Sequence, residues 1–221
     1  MSAAAPDEPL ANPLRMQVAE APVIDHANDP VQSDHQASDP SALALSWLPK
    51  SDEDRMLMTV STIDSEGFPR ARTVMLSEFD GEHFFFHTDA SSQKAHDISA
   101  NPRVSLSIVW PGFTRQLVVQ GTALIAPPDE VASAYAKRSP YLKQLAWLNT
   151  PEYALLPLRE RVSGWRDFAA TNPTPAQPRA WAGFAVRAHR MLFWVSNPDA
   201  ASRRIEYRRG EAGWSRQILP G

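Results

Sequence analysis

The segment "SSQKAHDISANPRVSLSIVW" (residues 91–110) gathers two hydroxyls, an amide and an ammonium into Ser91-Ser92-Gln93-Lys94, at the start of a short predicted helix that runs through Asn101-Pro102 into an apolar strand. The first turn of a helix presents unpaired N–H groups and the positive end of the helix dipole, so hydroxyls and a lysine placed there suit an anion such as phosphate. Serine is also a common N-cap and Lys94 can simply be solvated, so on these residues alone a capped surface helix is the leading reading. Of the six histidines, His26 and His35 fall in a polar amino-terminal stretch and His83 reads as a sheet-surface residue. His87 and His96 flank the Ser-Ser-Gln-Lys segment, yet no two histidines stand at ligand spacing, and a single imidazole is more often structural than catalytic.

Other chemistries are excluded by what the chain lacks. It has no cysteine, which removes disulfides, thiolate metal sites and cysteine nucleophiles together. Gly-x-Gly-x-x-Gly, phosphate-loop, Gly-x-Ser-x-Gly and His-Glu-x-x-His patterns are absent, so dinucleotide folds, phosphate-loop enzymes, serine hydrolases and zinc peptidases lose their main support. With 22 basic and 25 acidic residues and a net charge of −3, no nucleic-acid surface is expected. The amino end has no basic n-region with an apolar run behind it, and no stretch reaches the roughly 18 apolar residues of a spanning helix, so a soluble cytoplasmic protein is expected.

The elements that must position these groups follow from patterning. Residues 1–38 are rich in Ala, Pro, Asp, Asn, Gln and Ser without an apolar period and are expected to be a mobile arm, leaving 39–221 as the folded domain. Asp39-Pro40-Ser41 reads as a helix start. "RMLMTVSTID", "ARTVMLSEFD", "EHFFFHT", "RVSLSIVW" and "RQLVVQGTALI" read as strands, with Val74 and Leu76 on one face and Asp80-Gly81 as a hairpin signal. "PPDEVASAYAKR" and a stretch beginning near Pro157 read as helices. The chain then returns to strands in "WAGFAVRAHRMLFWV", "RRIEYRRG" and "GWSRQILP", with Arg209-Gly210 in the last turn. Roughly seven or eight strands without a βαβ rhythm predict an α+β protein built on a small antiparallel barrel.

"MTVSTIDSEGFPRARTVMLSEFD", "FFFHTDASSQKAHDISANPRVSLSIVW", "RQLVVQGTA" and the ending "LFWV…RRIEYRR…GWSRQILP" together resemble, in order, the pyridoxamine 5′-phosphate oxidase family from about residue 39 to the last residue. The resemblance implies an antiparallel split β-barrel with peripheral helices, a homodimer, and non-covalent FMN at the subunit interface. It places Arg72, with Thr73, Val74 and Met75 after it, His87 and Thr88, Gln93, Lys94 and Gln116 against the flavin. Trp194 and Arg204 match the pair that the second subunit brings to the flavin, and Gln93 stands where many members have arginine. It implies hydride transfer from substrate to flavin N5 and reoxidation by dioxygen, giving hydrogen peroxide. No protein nucleophile is needed, in keeping with the absent motifs.

The substrate half departs from the family pattern. Ala200, Ala201 and Ser202 occupy the place of an Arg-Leu-His segment, and Ser77 that of a lysine at a strand end. Tyr135 and Arg138 still match residues that bind substrate phosphate, whereas Pro151 and Glu152 stand where a Gln-Ser pair is expected. Ser77 and Gln93 look like the phenazine-biosynthesis branch. The resemblance therefore leaves three readings: an oxidase of pyridoxine or pyridoxamine 5′-phosphate, an FMN oxidoreductase with another, planar aromatic substrate, and a non-catalytic protein that binds flavin or pyridoxal phosphate.

Overall fold

The computed structural model describes residues 29–32, 38–49, 56–110, 112 and 114–221. Helix α1 (Pro40–Trp47) starts where Asp39 accepts a hydrogen bond from the Ser41 N–H at 2.8 Å, with Pro40 in the first turn. Its Leu43, Ala44 and Trp47 are buried, and Trp47 meets Phe193 edge-on at 5.2 Å.

Strands β1 (Met56–Ile63), β2 (Pro69–Leu76), β3 (Glu78–Phe79), β4 (His83–Asp89), β5 (Arg103–Val109), β6 (Arg115–Ile125) and β7 (Trp181–Val195) form one antiparallel sheet in the order β2-β1-β5-β6-β7-β4-β3. Strands β8 (Arg203–Gly210) and β9 (Gly213–Pro220) extend it from β7. The sheet curls into a split barrel around Phe84, Phe86, Leu106, Ile108, Leu117, Val119, Met191, Phe193 and Tyr207, all fully buried. These alternate with outward residues along each strand, the period that one buried face imposes. A bulge between Gln120 and Gly121 re-registers β6 on β7, and Gly121 is obligatory because a Cβ there would overlap the Arg187 carbonyl.

Two expected boundaries are corrected and a helix is added. The run 71–80 is not one strand: at Ser77 the N–H turns to the Phe85 carbonyl at 2.8 Å, ending β2 and starting β3 against β4. The last turn is Glu211-Ala212, with Arg209 and Gly210 inside β8, because Gly210 pairs Gly213 and leaves only two loop residues. An additional helix, α4 (Pro140–Leu148), follows α3 (Pro128–Ala136) and repeats the device of α1: Ser139 caps it and Pro140 opens it.

Helices α5 (Pro151–Ala154) and α6 (Leu158–Thr171) complete the periphery, α6 starting after Pro157 as expected. A cleft of about 380 Å³ between α4, α5 and α6 is lined by Leu145, Leu148, Tyr153, Leu158, Val162 and Trp165, and shares no residue with the predicted site. Of the predicted arm, residues 1–28 and 33–37 lie outside the described residues. Residues 29–32 are tied to the barrel: Val31 is fully buried, Asp29 pairs Arg115 at 2.6 Å, and Arg203 donates to the carbonyls of Val31 and Gln32.

Candidate active site

The hydroxyl-rich start of helix α2 (Gln93–Ala100) faces a cationic cradle. Lys94 Nζ donates to Thr88 Oγ1 at 2.9 Å, and Thr88 Oγ1 lies 3.2 Å from Ser92 Oγ. Ser92 holds the N-cap position but its side chain makes no capping bond, so the hydroxyl is turned toward Thr88. Arg72 Nη1 donates to Thr62 Oγ1 at 2.7 Å and to the Val60 carbonyl at 3.3 Å, while Nη2 lies 3.5 Å from Asp97 Oδ2. Thr62 and Gln93 both donate to Asp97, at 2.7 and 2.9 Å.

Burial and the neighbouring Arg72 cation lower Lys94 below its usual value, opposed by Asp89. Burial would raise Asp97, but hydrogen bonds from Gln93 and Thr62 and the charges of Arg70 and Arg72 outweigh it and keep the carboxyl low and ionised. Arg72 and Lys94 thus press on one another, with Asp97 engaged by Arg72, Thr62 and Gln93 and Asp89 acting on Lys94. Cations and hydroxyls gathered beside a helix start suit an anion.

Gln116, Trp194 and Arg204 form a row across three strands, Gln116 pairing Trp194 and Trp194 pairing Arg204. Gln116 Nε2 reaches Ser107 Oγ at 3.5 Å, and Trp194 Nε1 donates to Ser202 Oγ at 2.9 Å. Arg204 Nε is buried with no hydrogen-bond partner among the described residues.

This row and the cradle lie on opposite faces of the sheet. Arg72 pairs Val60, which pairs the buried Leu106, on the inward parity. Gln116 and Trp194 alternate with the buried Leu117 and Phe193 and so point outward. Along β2, Arg72 and Val74 therefore share one face and Thr73 and Met75 the other.

On the substrate side, Ser77 Oγ lies 2.8 Å from His87 Nδ1, and His87 Nε2 lies 3.1 Å from Glu130 Oε2 on α3. The imidazole stacks on Trp181 at 5.3 Å and 7°, and the Arg138 guanidinium lies 4.3 Å from the centre of the Trp181 ring. Tyr135 meets Trp181 edge-on and directs its hydroxyl to the carbonyls of Pro175 and Ala176. Gly183 makes room for the imidazole, since a Cβ there would stand 2.9 Å from His87 Nε2.

Burial, assisted by the Arg138 charge, lowers His87 from 6.5 to about 4. Burial, with Glu78 and Asp129 nearby and Lys137 opposing, raises Glu130 from 4.5 to about 7. His87 stabilises the fold above its ordinary value and loses that contribution as pH falls through about 4, whereas Glu130 stabilises it below 4.5 and loses that contribution as pH rises through about 7. Between these limits the two slopes oppose. In Glu130→Gln only the His87 slope remains, so relative to wild type the variant is expected to gain about 2 kcal/mol on going from about pH 4.5 to 6.5. Urea midpoints of both proteins across that range check it, and a difference that does not change with pH refutes it.

Comparison with known proteins decides the family. The family model for pyridoxamine 5′-phosphate oxidase matches residues 53–177, more than half of the chain. The chain belongs to the pyridoxamine 5′-phosphate oxidase family. It is similar to the pyridoxine/pyridoxamine 5′-phosphate oxidase of Caulobacter vibrioides strain NA1000, with 29% identity over 188 residues, 82% of this chain and 84% of the relative. Its fold is similar to that of PhzG from Burkholderia lata 383, solved in complex with tetrahydrophenazine-1-carboxylic acid, with TM-score 0.75, 22% identity, and 85% and 95% of the two chains covered. An FMN-binding protein related to pyridoxamine 5′-phosphate oxidase from Nostoc punctiforme superposes with TM-score 0.61 at 16% identity, covering 75% and 88%. The family and its split-barrel fold are those of flavin-binding oxidoreductases.

The cradle fits the phosphate end of a flavin mononucleotide. Arg72, Lys94, Thr88 and Ser92 supply the donors, and the buried, unpartnered Arg204 Nε on the other face is a further donor awaiting an acceptor. Where this family carries Arg-Leu-His, the chain makes a tight turn: Asp199 and Ala200 donate their N–H groups to Asn197 Oδ1, Ala200 and Ala201 are exposed, and Ser202 accepts from the Trp194 indole.

Sequence reasoning passed over Thr62, Asp97, Glu130 and Trp181. Asp97 had a legible signal, a carboxylate one turn after Gln93 on a helix of otherwise small and apolar inward residues. Glu130 had none, because its partner is 43 residues away.

Proposed function

We propose that this protein is a homodimeric, FMN-dependent oxidase that removes hydride from a carbon bearing an amine or alcohol on a planar aromatic substrate other than the pyridoxine phosphates. The observation that carries this reading is the cradle of Arg72, Lys94, Thr88 and Ser92, in which two cations and two hydroxyls gather at the start of α2. Bound FMN supplies the hydride acceptor at N5 and returns the electrons to dioxygen as hydrogen peroxide. Arg72 and Lys94 hold the phosphate, Gln116 hydrogen-bonds the ring, and the sheet keeps the substrate close to it.

Opposite faces support the dimer. Arg72 on β2 is three strand spacings, about 14 Å, from Gln116 on β6, and points to the other side. Trp194 and Arg204 meet the same flavin as Arg72 when they come from a second copy. The departure from a vitamer substrate is favoured by Ser77 and Ser202, whose hydroxyls are engaged by His87 and Trp194 at positions where the family places a cation and an imidazole. Purification with identification of the bound chromophore and sedimentation of the coloured species tests this reading. A yellow dimer releasing FMN on denaturation is expected, and a colourless monomer that fails to take up added FMN overturns it.

A further inference from the structure

The residues of the outward row stand at the ends of their strands. Gln116 is second in β6, Trp194 second from last in β7 and Arg204 second in β8, and strand pairing brings these ends together at one end of the barrel. Backbone at a strand end opens at little cost unless something outside the ladder holds it. On the outward face little does. Gln116 reaches Ser107 only at 3.5 Å, and Arg204 Nε is buried with no hydrogen-bond partner among the described residues.

The hold comes from residues 29–32. Arg115, directly ahead of Gln116, pairs Asp29 at 2.6 Å and lies 5.1 Å from the centre of the Trp47 ring. Arg203, directly ahead of Arg204, donates from Nε to the Val31 carbonyl at 3.1 Å and from Nη2 to the Gln32 carbonyl. The carbonyl of Ser196, two residues past Trp194, accepts from Gln32 Nε2 at 3.3 Å. One short segment thus grips the ends of β6, β7 and β8 together. It can do so because it is itself fixed: Asp29 Oδ1 accepts the Val31 N–H at 2.9 Å, the Gln32 N–H closes a turn on the Asp29 carbonyl at 2.8 Å, and Val31 is fully buried in the core.

We propose that residues 29–32 are positioning residues for the cofactor, a clasp that fixes the strand ends from which Gln116, Trp194 and Arg204 meet the flavin. This rests on the FMN reading above. Successive side chains of a strand point to opposite faces, so an arginine gripped on the core side sets where its neighbour stands on the outward side. Asp29 serves both halves of the device, with one oxygen shaping the turn and the other holding Arg115. Without it the turn opens, and Arg203 loses the two carbonyls that the turn presents to it.

The test uses the full chain, without FMN and with it. Without FMN, solvent exchange of the Trp194 indole N–H, which donates to Ser202 Oγ beside Arg203, is expected to quicken about tenfold in Asp29→Ala, while that of the Trp147 indole on the Ala176 carbonyl is unchanged. With FMN, Asp29→Ala is expected to raise Kd about tenfold, to raise it only about threefold in an Arg204→Ala background, and to keep its full effect in a Gln93→Ala background. Residues that act through one another do not add, whereas residues without a shared partner do. Asp29→Asn keeps an acceptor for the Val31 N–H and drops the charge facing Arg115, and it runs the same cycle if Asp29→Ala does not fold. Equal losses in the two backgrounds, or an unchanged Trp194 exchange rate, overturn the clasp and leave the FMN reading standing. Wild-type protein that binds no FMN overturns that reading, and the clasp's role in cofactor binding with it.

Discussion

FMN-saturated protein is expected to oxidise pyridoxamine and pyridoxine 5′-phosphates several orders of magnitude less efficiently than about 10⁴ M⁻¹s⁻¹, the lower edge of the ordinary enzyme range. Three substitutions on the substrate side motivate this: Ala200 removes a guanidinium, Ser202 an imidazole and Ser77 an ammonium relative to the family pattern. A buried charged contact is worth a few kcal/mol, and each ~1.4 kcal/mol of lost transition-state stabilisation is a tenfold loss in rate. Two arginines that follow in the chain are committed elsewhere. Arg203 donates to the carbonyls of Val31 and Gln32, and Arg208 to the fully buried Glu206. Steady-state peroxide release with both phosphates measures the effect. A kcat/KM at or above that edge returns the vitamer reading.

Arg72→Ala is expected to weaken FMN by about 2–4 kcal/mol, roughly thirty- to thousand-fold in Kd, while Gln93→Ala costs about 1 kcal/mol, roughly fivefold. Both side chains touch Asp97, and the difference between them lies in charge. Removing the Arg72 guanidinium takes away a fork for phosphate oxygens and also one of the two cations that hold Asp97 ionised beside the ligand. Removing the Gln93 amide takes one neutral donor from Asp97, which keeps Thr62 and Arg72. Fluorescence titration of FMN into the two apoproteins compares them directly. Equal losses count against Arg72 as the phosphate clamp.

Much of the barrel was legible because its signals are local. Asp39-Pro40 starts α1, and period-two alternation marks the strands. The α4 start at Ser139-Pro140 was equally local and was passed over; its helix buries little, with Gln144 as its one buried residue. The break at Ser77 was not legible, since it depends on the Phe85 carbonyl of a neighbouring strand.

The order of chemistry-bearing blocks, the absence of a nucleophile or thiolate centre and the strand-by-strand architecture belong to the sequence itself, because each rests on residue type and short-range period. Which face each group occupies was decided only by tertiary structure. Side-chain parity places Arg72 with the inward row and Gln116, Trp194 and Arg204 with the outward one, and parity depends on register between strands far apart in the chain. The same holds for the buried line from Ser77 through His87 to Glu130 and for the anchoring of residues 29–32 by Arg115 and Arg203. Each of these joins groups separated by between 10 and 172 positions, and no local pattern records a contact that exists only once the sheet has closed.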